Sequence, residues 1–180
     1  MARLFISLGS NIRPARNIRR AIRYLSKYLR VNSISTVYCT APEERPGQPF
    51  YFNCVLDAES EAPPENLKFG VFRNIEKDMG RIRTGDKYAP RTIDIDIIAY
   101  GDLVLQTDRM TLPDPRIMSR PFLAIPLFEL APEFIIPGTK ISIKQAASAL
   151  SANNMKALPK YTALIRKEAV HGYRESQRTC

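Results

Sequence analysis

Apolar residues recur along this chain in two rhythms, one of strands and one of helices. Leu4 to Leu8 is a short, mostly apolar run, as expected of a buried strand, and Gly9-Ser10-Asn11 follows as a turn. Pro14 then opens a helix, where its missing N–H costs nothing. Ile18, Ile22, Leu25 and Leu29 recur at helical spacing, with Arg and Lys on the other face. Val31 to Tyr38 is β-branched and partly alternating and predicts a second strand. Residues 40–50 hold three prolines and a glycine and predict a loop, and Tyr51 to Ala58 predicts the third strand.

Pro63-Pro64-Glu65 opens a second helix with Leu67, Val71, Ile75 and Met79 on its apolar positions, closed by Gly80. A second loop, 81–90, leads to a fourth strand, Ile93 to Tyr100. Gly101-Asp102 predicts a turn into a short returning strand, Leu103 to Leu105. Residues 108–119 read as irregular, Phe122 to Leu130 and Ile143 to Leu150 as helices, and Tyr161 to Arg166 as a candidate extra strand. His171 to Cys180 is polar and is expected to be disordered. The order β-α-β-β-α-β, with a C-terminal helical elaboration, predicts an α+β ferredoxin-like sandwich.

Composition narrows the class without choosing a function. Hydrophobic residues make up 44% and charged residues 25%, ordinary for a globular protein, and 180 residues suit one domain or one domain with a tail. No apolar stretch approaches the roughly 20 residues that span a bilayer, so no membrane partner is expected. The N-terminal run has no small-residue cleavage site behind it and reads as a strand, not a signal peptide. Cys39, Cys54 and Cys180 are unclustered, which points to neither a disulfide framework nor a zinc site and favours the cytoplasm. The net charge is +9 and uneven: residues 1–42 contain no Asp or Glu. Such a basic face is either solvated or draws a nucleic acid, an anionic membrane or a polyanionic small substrate.

The chemistry concentrates in RTIDIDII, residues 91–98. Side chains alternate along a strand, so Ile93, Ile95 and Ile97 face the core, while Asp94 and Asp96 project together from the other face, with Cα atoms roughly 6.5 Å apart. Two like charges side by side repel and call for a cation, so replacing either is expected to harm folding little. Hard oxygen ligands at this spacing suit Mg²⁺, and two such ions would clamp both ends of a phosphoryl displacement. Arg81, Arg83 and Arg91 flank the pair, with Arg109 and Arg120 beyond it, and arginine's planar fork fits phosphate oxygens. Neither GxxxxGK[ST] nor GxGxxG occurs, so a triphosphate would be held by metal and arginines. His171 is the only histidine and lies near the C-terminus, which excludes a ready Ser-His or Cys-His pair.

These segments resemble a known family, the 6-hydroxymethyl-7,8-dihydropterin pyrophosphokinases of folate biosynthesis. The resemblance rests on LGSN (8–11), YCTAP (38–42), FYFNCV (50–55), GRIRTGDKYAPRTIDIDII (80–98), LPDPR (112–116) and PFLAIPLFELAPE (121–133). It implies a pterin pyrophosphokinase domain over 1–158 and an extension over 159–180. The implied reaction moves a pyrophosphoryl group from ATP to the pterin's hydroxymethyl oxygen and releases AMP. Two Mg²⁺ would be held by Asp94 and Asp96, with Arg81, Arg83, Arg91 and Asp96 in catalytic roles. Thr40, Ala41, Tyr51, Asn53, Tyr88 and Phe122 would form the pterin slot. Glu76, Ile97, Arg109, Thr111, Asp114 and Arg120 would surround ATP. The loops at 41–50 and 81–90 would close over the substrates and exclude water. A monomer or weak homodimer is expected, with no nucleic-acid partner.

Some positions depart from the family's pattern. Asp114 stands where the segment normally has a histidine near the nucleotide phosphates, Tyr88 where a tryptophan is common, Ala41 where a proline sits, and Arg73 where some members have glutamine. Asp114 raises a rival reading, a weakened relative that only binds. A second rival is a nucleic-acid-binding module of the same fold. Such sheets stack bases on strand aromatics, whereas here the strand offers Asp94 and Asp96.

Overall fold

A computed structural model of the chain describes residues 1–42, 47–83, 85–86 and 89–176. It is a mixed α/β fold on an antiparallel sheet. Strand β1 (Ala2–Ser10) pairs antiparallel with both β4 (Tyr51–Ser60) and β5 (Asp94–Tyr100). The far side of β4 is shared by β2 (Arg30–Ile34) and β3 (Tyr38–Thr40), and β8 (Met155–Ala157) adds to the edge of β3. The sheet order is β5-β1-β4-β3-β8. A separate ribbon pairs β6 (Leu105–Gln106) with β7 (Thr111–Leu112).

Alternation along the strands makes two cores. Leu4, Ile6 and Leu8 of β1, Cys54 and Leu56 of β4, and Ile93, Ile95 and Ile97 at β5 turn to one face. Helix α1 (Pro14–Leu25) covers that face with Ile18, Ala21, Ile22 and Leu25. Beside it lies the second predicted helix, π-helical over Asn66–Phe72 and continuing as α2 (Arg73–Asp78). Phe5, Val55, Ile98 and Ala99 turn to the other face, under α3 (Pro121–Leu130) and α4 (Ile143–Ser148). Ile98 and Ala99 are neighbours yet share a face, because the β1–β5 register slips there. Phe5 opposes Ala99 and Ile6 opposes Ile97, leaving Ile98 as the extra residue of a bulge.

The structure corrects three expectations. Residues 31–38 are not one strand: β2 ends at Ile34 and β3 starts at Tyr38. The break is stable because its backbone groups find partners elsewhere. Ser35 exchanges bonds with Val55, Thr36 N–H donates to Glu129 of α3, and Val37 N–H donates to Thr162 Oγ1 at 2.9 Å. Tyr161 to Arg166 is no strand, but part of helix α5 (Pro159–Ser176). Leu158, Tyr161, Ile165 and Ala169 meet the first core at intervals of three and four, a helical spacing. The stretch 108–119 is partly ordered, by β7 and a 3₁₀ turn at Pro115–Met118. The expected disorder after His171 meets a helix that runs to Ser176, and residues 177–180 lie outside the described residues.

Thr162→Val tests this closure. It keeps the shape and leaves the buried Val37 N–H unpaired, which should lower unfolding free energy by about 1–3 kcal/mol. The expected result is an earlier urea midpoint with an unchanged slope.

Candidate active site

The site lies where the second face of the sheet runs out of large side chains. On that face β1 presents Phe5, then Ser7, then Gly9. Phe5 is in the core; Ser7 and Gly9 leave a floor. Across the floor Gly9 opposes Asn53 of β4 and Asp94 of β5, and Ser7 opposes Val55 and Asp96. Glycine is required at position 9 by a close approach: a Cβ there would lie 2.9 Å from Asn53 Oδ1. The Asn53 amide donates to Thr40 Oγ1 at 2.8 Å, so both side chains are held before any ligand arrives.

Beside this floor runs a chain of alternating charges. Glu76, 2% exposed, accepts from Arg81, from Arg83 and from the Ile95 N–H. Arg81, whose side chain is 12% exposed, also donates to Asp94 and to the Ile93 carbonyl. Arg91 takes the second oxygen of Asp94 at 2.6 Å. Asp96 meets Lys68 Nζ at 3.0 Å on one oxygen and Arg116 Nη2 at 3.1 Å on the other. Arg116 is in turn gripped by Asp114 through its backbone N–H, Nε and Nη2. Burial would push the Asp94 carboxyl up, but Arg81 and Arg91 outweigh it and hold it below the usual carboxylate range. Burial pushes the Glu76 carboxyl up, against the pull of Arg81 and the Ile95 N–H. Hydrogen bonding to Asp114 pushes the Arg116 guanidinium higher still, so it stays charged.

The aspartates therefore do project together from the face opposite Ile95 and Ile97. Their mutual repulsion is offset, because each carboxylate oxygen already meets a cation, so the expectation that replacing either harms folding little is revised for Asp94, whose partners are the more buried. Asp114, placed in sequence near nucleotide phosphates, faces Arg116 and caps the 3₁₀ turn.

Two cavities meet at this charge chain. One is lined by Gly9, Thr40, Ala41, Tyr51, Asn53, Arg120 and Phe122 among others, which gathers most of the expected pterin slot. The second is lined by Glu76, Arg81 and Arg83, together with Lys68 and Arg73. Asp94, Asp96, Arg91 and Arg116 line both. The remaining expected residues fall elsewhere. Arg109 stacks on the Phe69 ring at 4.1 Å, with Arg73 on the same ring at 4.7 Å. Thr111 is exposed on β7, and Ile97 is buried in the first core; neither lines either cavity. Tyr88 lies outside the described residues.

Sequence reasoning missed Lys68 and offered Arg116 only as a neutralising partner for Asp114, which the structure bears out, without its contact to Asp96. Lys68 carries no signal in one dimension, since it reaches Asp96 across 28 positions through a helix-to-strand contact. Arg116 had one, its place two residues after Asp114. As a metal site the pair is sparse: among the described residues no three His, Cys, Asp or Glu side chains form a cage. Two carboxylates fit Mg²⁺, which commonly takes one or two and completes its shell with phosphate and water.

Comparison with known proteins agrees with these motifs. Residues 5–132 match the family described as 7,8-dihydro-6-hydroxymethylpterin-pyrophosphokinase. A 2-amino-4-hydroxy-6-hydroxymethyldihydropteridine pyrophosphokinase of Synechocystis is 39% identical over 144 residues, covering 78% of this chain and 72% of the relative. The Haemophilus influenzae protein of the same name is 32% identical over 144 residues, covering 78% of this chain and 89% of the relative. The Dictyostelium discoideum folic acid synthesis protein FOL1 is 35% identical over 141 residues, which cover 77% of this chain and only 21% of that protein. Plasmodium falciparum HPPK-DHPS shares the fold, with a TM-score of 0.66 at 13% identity over 87% of this chain and 47% of that one.

The charge chain predicts unequal costs for its two aspartates. Asp94→Ala removes one of the two carboxylates that hold the largely buried Arg81, together with the ion pair to Arg91, and should lower unfolding free energy by about 1–3 kcal/mol. Asp96→Ala frees the more exposed Lys68 and Arg116 and should cost less than about 1 kcal/mol. Urea unfolding at neutral pH measures both. Because the folded-state pKa of Asp94 is depressed, its contribution is present above the unfolded carboxylate pKa and lost as pH falls below it. The two variants should therefore converge in acid.

Proposed function

The chain belongs to the 7,8-dihydro-6-hydroxymethylpterin-pyrophosphokinase family, and we propose on that footing how its own residues divide the work. The family's reaction is pyrophosphoryl transfer from ATP to 6-hydroxymethyl-7,8-dihydropterin in folate biosynthesis. The observation that carries the assignment is the pair of cavities sharing Asp94, Asp96, Arg91 and Arg116. One cavity takes the pterin and the other the triphosphate, so that the hydroxymethyl oxygen meets the β-phosphorus above β5. The new bond joins that oxygen to the β-phosphorus, the bond from the β-phosphorus to the oxygen bridging it to the α-phosphorus breaks, and AMP leaves.

In the pterin slot Asn53 reads the ring's polar edge, and its bond to Thr40 fixes its orientation. Phe122 and Tyr51 provide ring walls, with Ala41 beside them. A buried amide left unpaired disfavours rings that lack the matching edge. On the other side Arg81, Arg83 and Arg91 turn from carboxylates to phosphate oxygens, where their forks are equally well matched. Asp94 and Asp96 would hold Mg²⁺, two ions in this reading, which neutralises charge developing on the phosphates. Arg120 lines the slot from the start of α3, and Glu76 holds Arg81 and Arg83 at the phosphate side. Arg109, on the Phe69 ring, and Thr111 border the nucleotide, with Ile97 supporting β5 from beneath. Ala41, Pro42 and Gln48 line the first cavity, and Ile82, Asp86, Ala89 and Pro90 the second; the loops that carry them, 41–50 and 81–90, would exclude water, which competes for the phosphoryl group. The sheet order, with β2 and β3 as one interrupted strand, is read as ferredoxin-like. The working state is a cytoplasmic monomer or weak homodimer with no nucleic-acid partner.

The weakened-relative reading loses its main support. Asp114 is neutralised locally by Arg116 and presents no bare carboxylate to a triphosphate.

The deciding experiment is nucleotide analysis after incubating the chain with ATP, Mg²⁺ and 6-hydroxymethyl-7,8-dihydropterin. AMP and the pterin pyrophosphate are expected; ADP would show that the reaction is a different one. Asn53→Ala should weaken pterin binding by about 1–3 kcal/mol while leaving ATP binding nearly unchanged. Calorimetric titration with each ligand separates these, and an equal loss for both would assign Asn53 to folding instead.

A further inference from the structure

We propose that Lys68 is a placeholder cation: it holds one oxygen of Asp96 until the metal–nucleotide complex arrives, then passes to the triphosphate. The inference rests on the reading that Asp94 and Asp96 carry the metal.

The first support is the occupancy of the carboxylate oxygens. Asp94 Oδ1 meets Arg81 and Oδ2 meets Arg91; Asp96 Oδ1 meets Lys68 and Oδ2 meets Arg116. A metal held by these residues would be repelled by the cation already on each oxygen, so its binding favours a cation's departure. The four cations are not equally held. Arg81 also bonds Glu76 and the Ile93 carbonyl. Arg91 is pinned through its backbone, whose N–H donates to Asn11 Oδ1 and whose carbonyl accepts from the Asn11 and Ile12 N–H groups. Arg116 is gripped by Asp114. Among the described residues Lys68 has Asp96 as its ion-pair partner and no second carboxylate. An ammonium on a flexible four-carbon stem, 26% exposed, is the cheapest of the four to move.

The second support is how the chain brings Lys68 there. The helix is π-helical over Asn66–Phe72, with bonds closing one residue later than in an α-helix. Its buried residues Leu67 and Phe72 are five positions apart, the π repeat. Lys68, next to Leu67 in this segment packed on β5, lines the charged cavity with Arg81 and Arg83.

The third support is charge. The four carboxylates of Glu76, Asp94, Asp96 and Asp114 face the five cations of Lys68, Arg81, Arg83, Arg91 and Arg116, an excess of one positive charge that suits an incoming polyanion. In an exchange in which metal takes carboxylate and the displaced cations take phosphate, each displaced cation finds a new anionic partner. Lys68 then has opposite effects on two equilibria. It competes with a bare metal ion for Asp96, and it attracts the metal–nucleotide complex.

The test uses the full chain with Lys68→Met, Lys68→Gln and Lys68→Arg, and Asp96→Asn as a control. Mn²⁺ alone is titrated by the electron-spin signal of the free ion. Mg²⁺ with α,β-methylene-ATP is titrated by calorimetry. Both neutral variants should bind Mn²⁺ alone about three- to fivefold tighter and the magnesium–analogue complex about three- to fivefold weaker, the scale of a partly exposed ion pair. Lys68→Arg should restore both. A merely structural role for Lys68 would move both affinities the same way, which overturns the proposal. So would a neutral variant whose Mn²⁺ affinity equals wild type while Asp96→Asn loses Mn²⁺. Wild-type Mn²⁺ affinity in Asp96→Asn overturns the metal placement itself. Lys68→Gln keeps the test valid should the methionine variant fold poorly, with thermal unfolding as the check.

Discussion

Two carboxylates on the same face of one strand repel, and much of what surrounds β5 answers that repulsion. Asp94 and Asp96 are two residues apart on β5, and alternation leaves them no choice of side. The fold responds with a cation at each of their four oxygens, drawn from separate segments: Lys68 from the π-helical turn, Arg81 and Arg91 from the loop before β5, and Arg116 from the turn after β7. These bridges tie β5 to the loop, the helix and the 3₁₀ turn. In the function proposed above the same carboxylates and cations would meet a metal–triphosphate, so that stability and function would draw on one set of charges.

This sharing explains why the buried charges are tolerable. Removing one partner of a buried pair is costly because the other is stranded, not because the pair itself is strongly stabilising. Glu76 is the clearest case: almost fully buried, it is satisfied by two guanidiniums and a backbone N–H of the very strand that carries the aspartates. Asp114 belongs to the same logic. Its carboxylate holds Arg116 against Asp96 and caps a short turn, a structural use compatible with standing near phosphates.

The slot beside the charges depends on small residues and on a break. Ser7 and Gly9 withdraw side-chain volume where Phe5 would have filled it, and Asn53 lies over the space that Gly9 leaves. After the interruption between β2 and β3, β3 sets Thr40 opposite Tyr51 and within hydrogen-bond reach of Asn53, and α3 and α5 supply the hydrogen bonds the interrupted strand lacks. The C-terminal helix thus reaches the site indirectly: Thr162 steadies Val37, three residues before Thr40.

The sequence by itself determined the elements whose signals are local. The β-branched and alternating runs placed β1, β4 and β5, the spacing of Ile18, Ile22 and Leu25 placed α1, and the Asp-Ile-Asp alternation put both aspartates opposite the core. The family's motifs also gathered Thr40, Tyr51, Asn53 and Phe122, which the structure brings around one cavity. Only the tertiary structure decided what depends on neighbours far along the chain. β8 is three residues long and is a strand because the edge of β3 accepts it. β2 and β3 separate because Ser35, Glu129 and Thr162 satisfy the gap. Lys68 reaches Asp96 because the helical segment that carries it packs against β5, a contact that no periodicity of single residues announces. Alternation assigns a side chain to a face by its own position in the chain, whereas an ion pair or a cavity wall is assigned by the segment that folds against it.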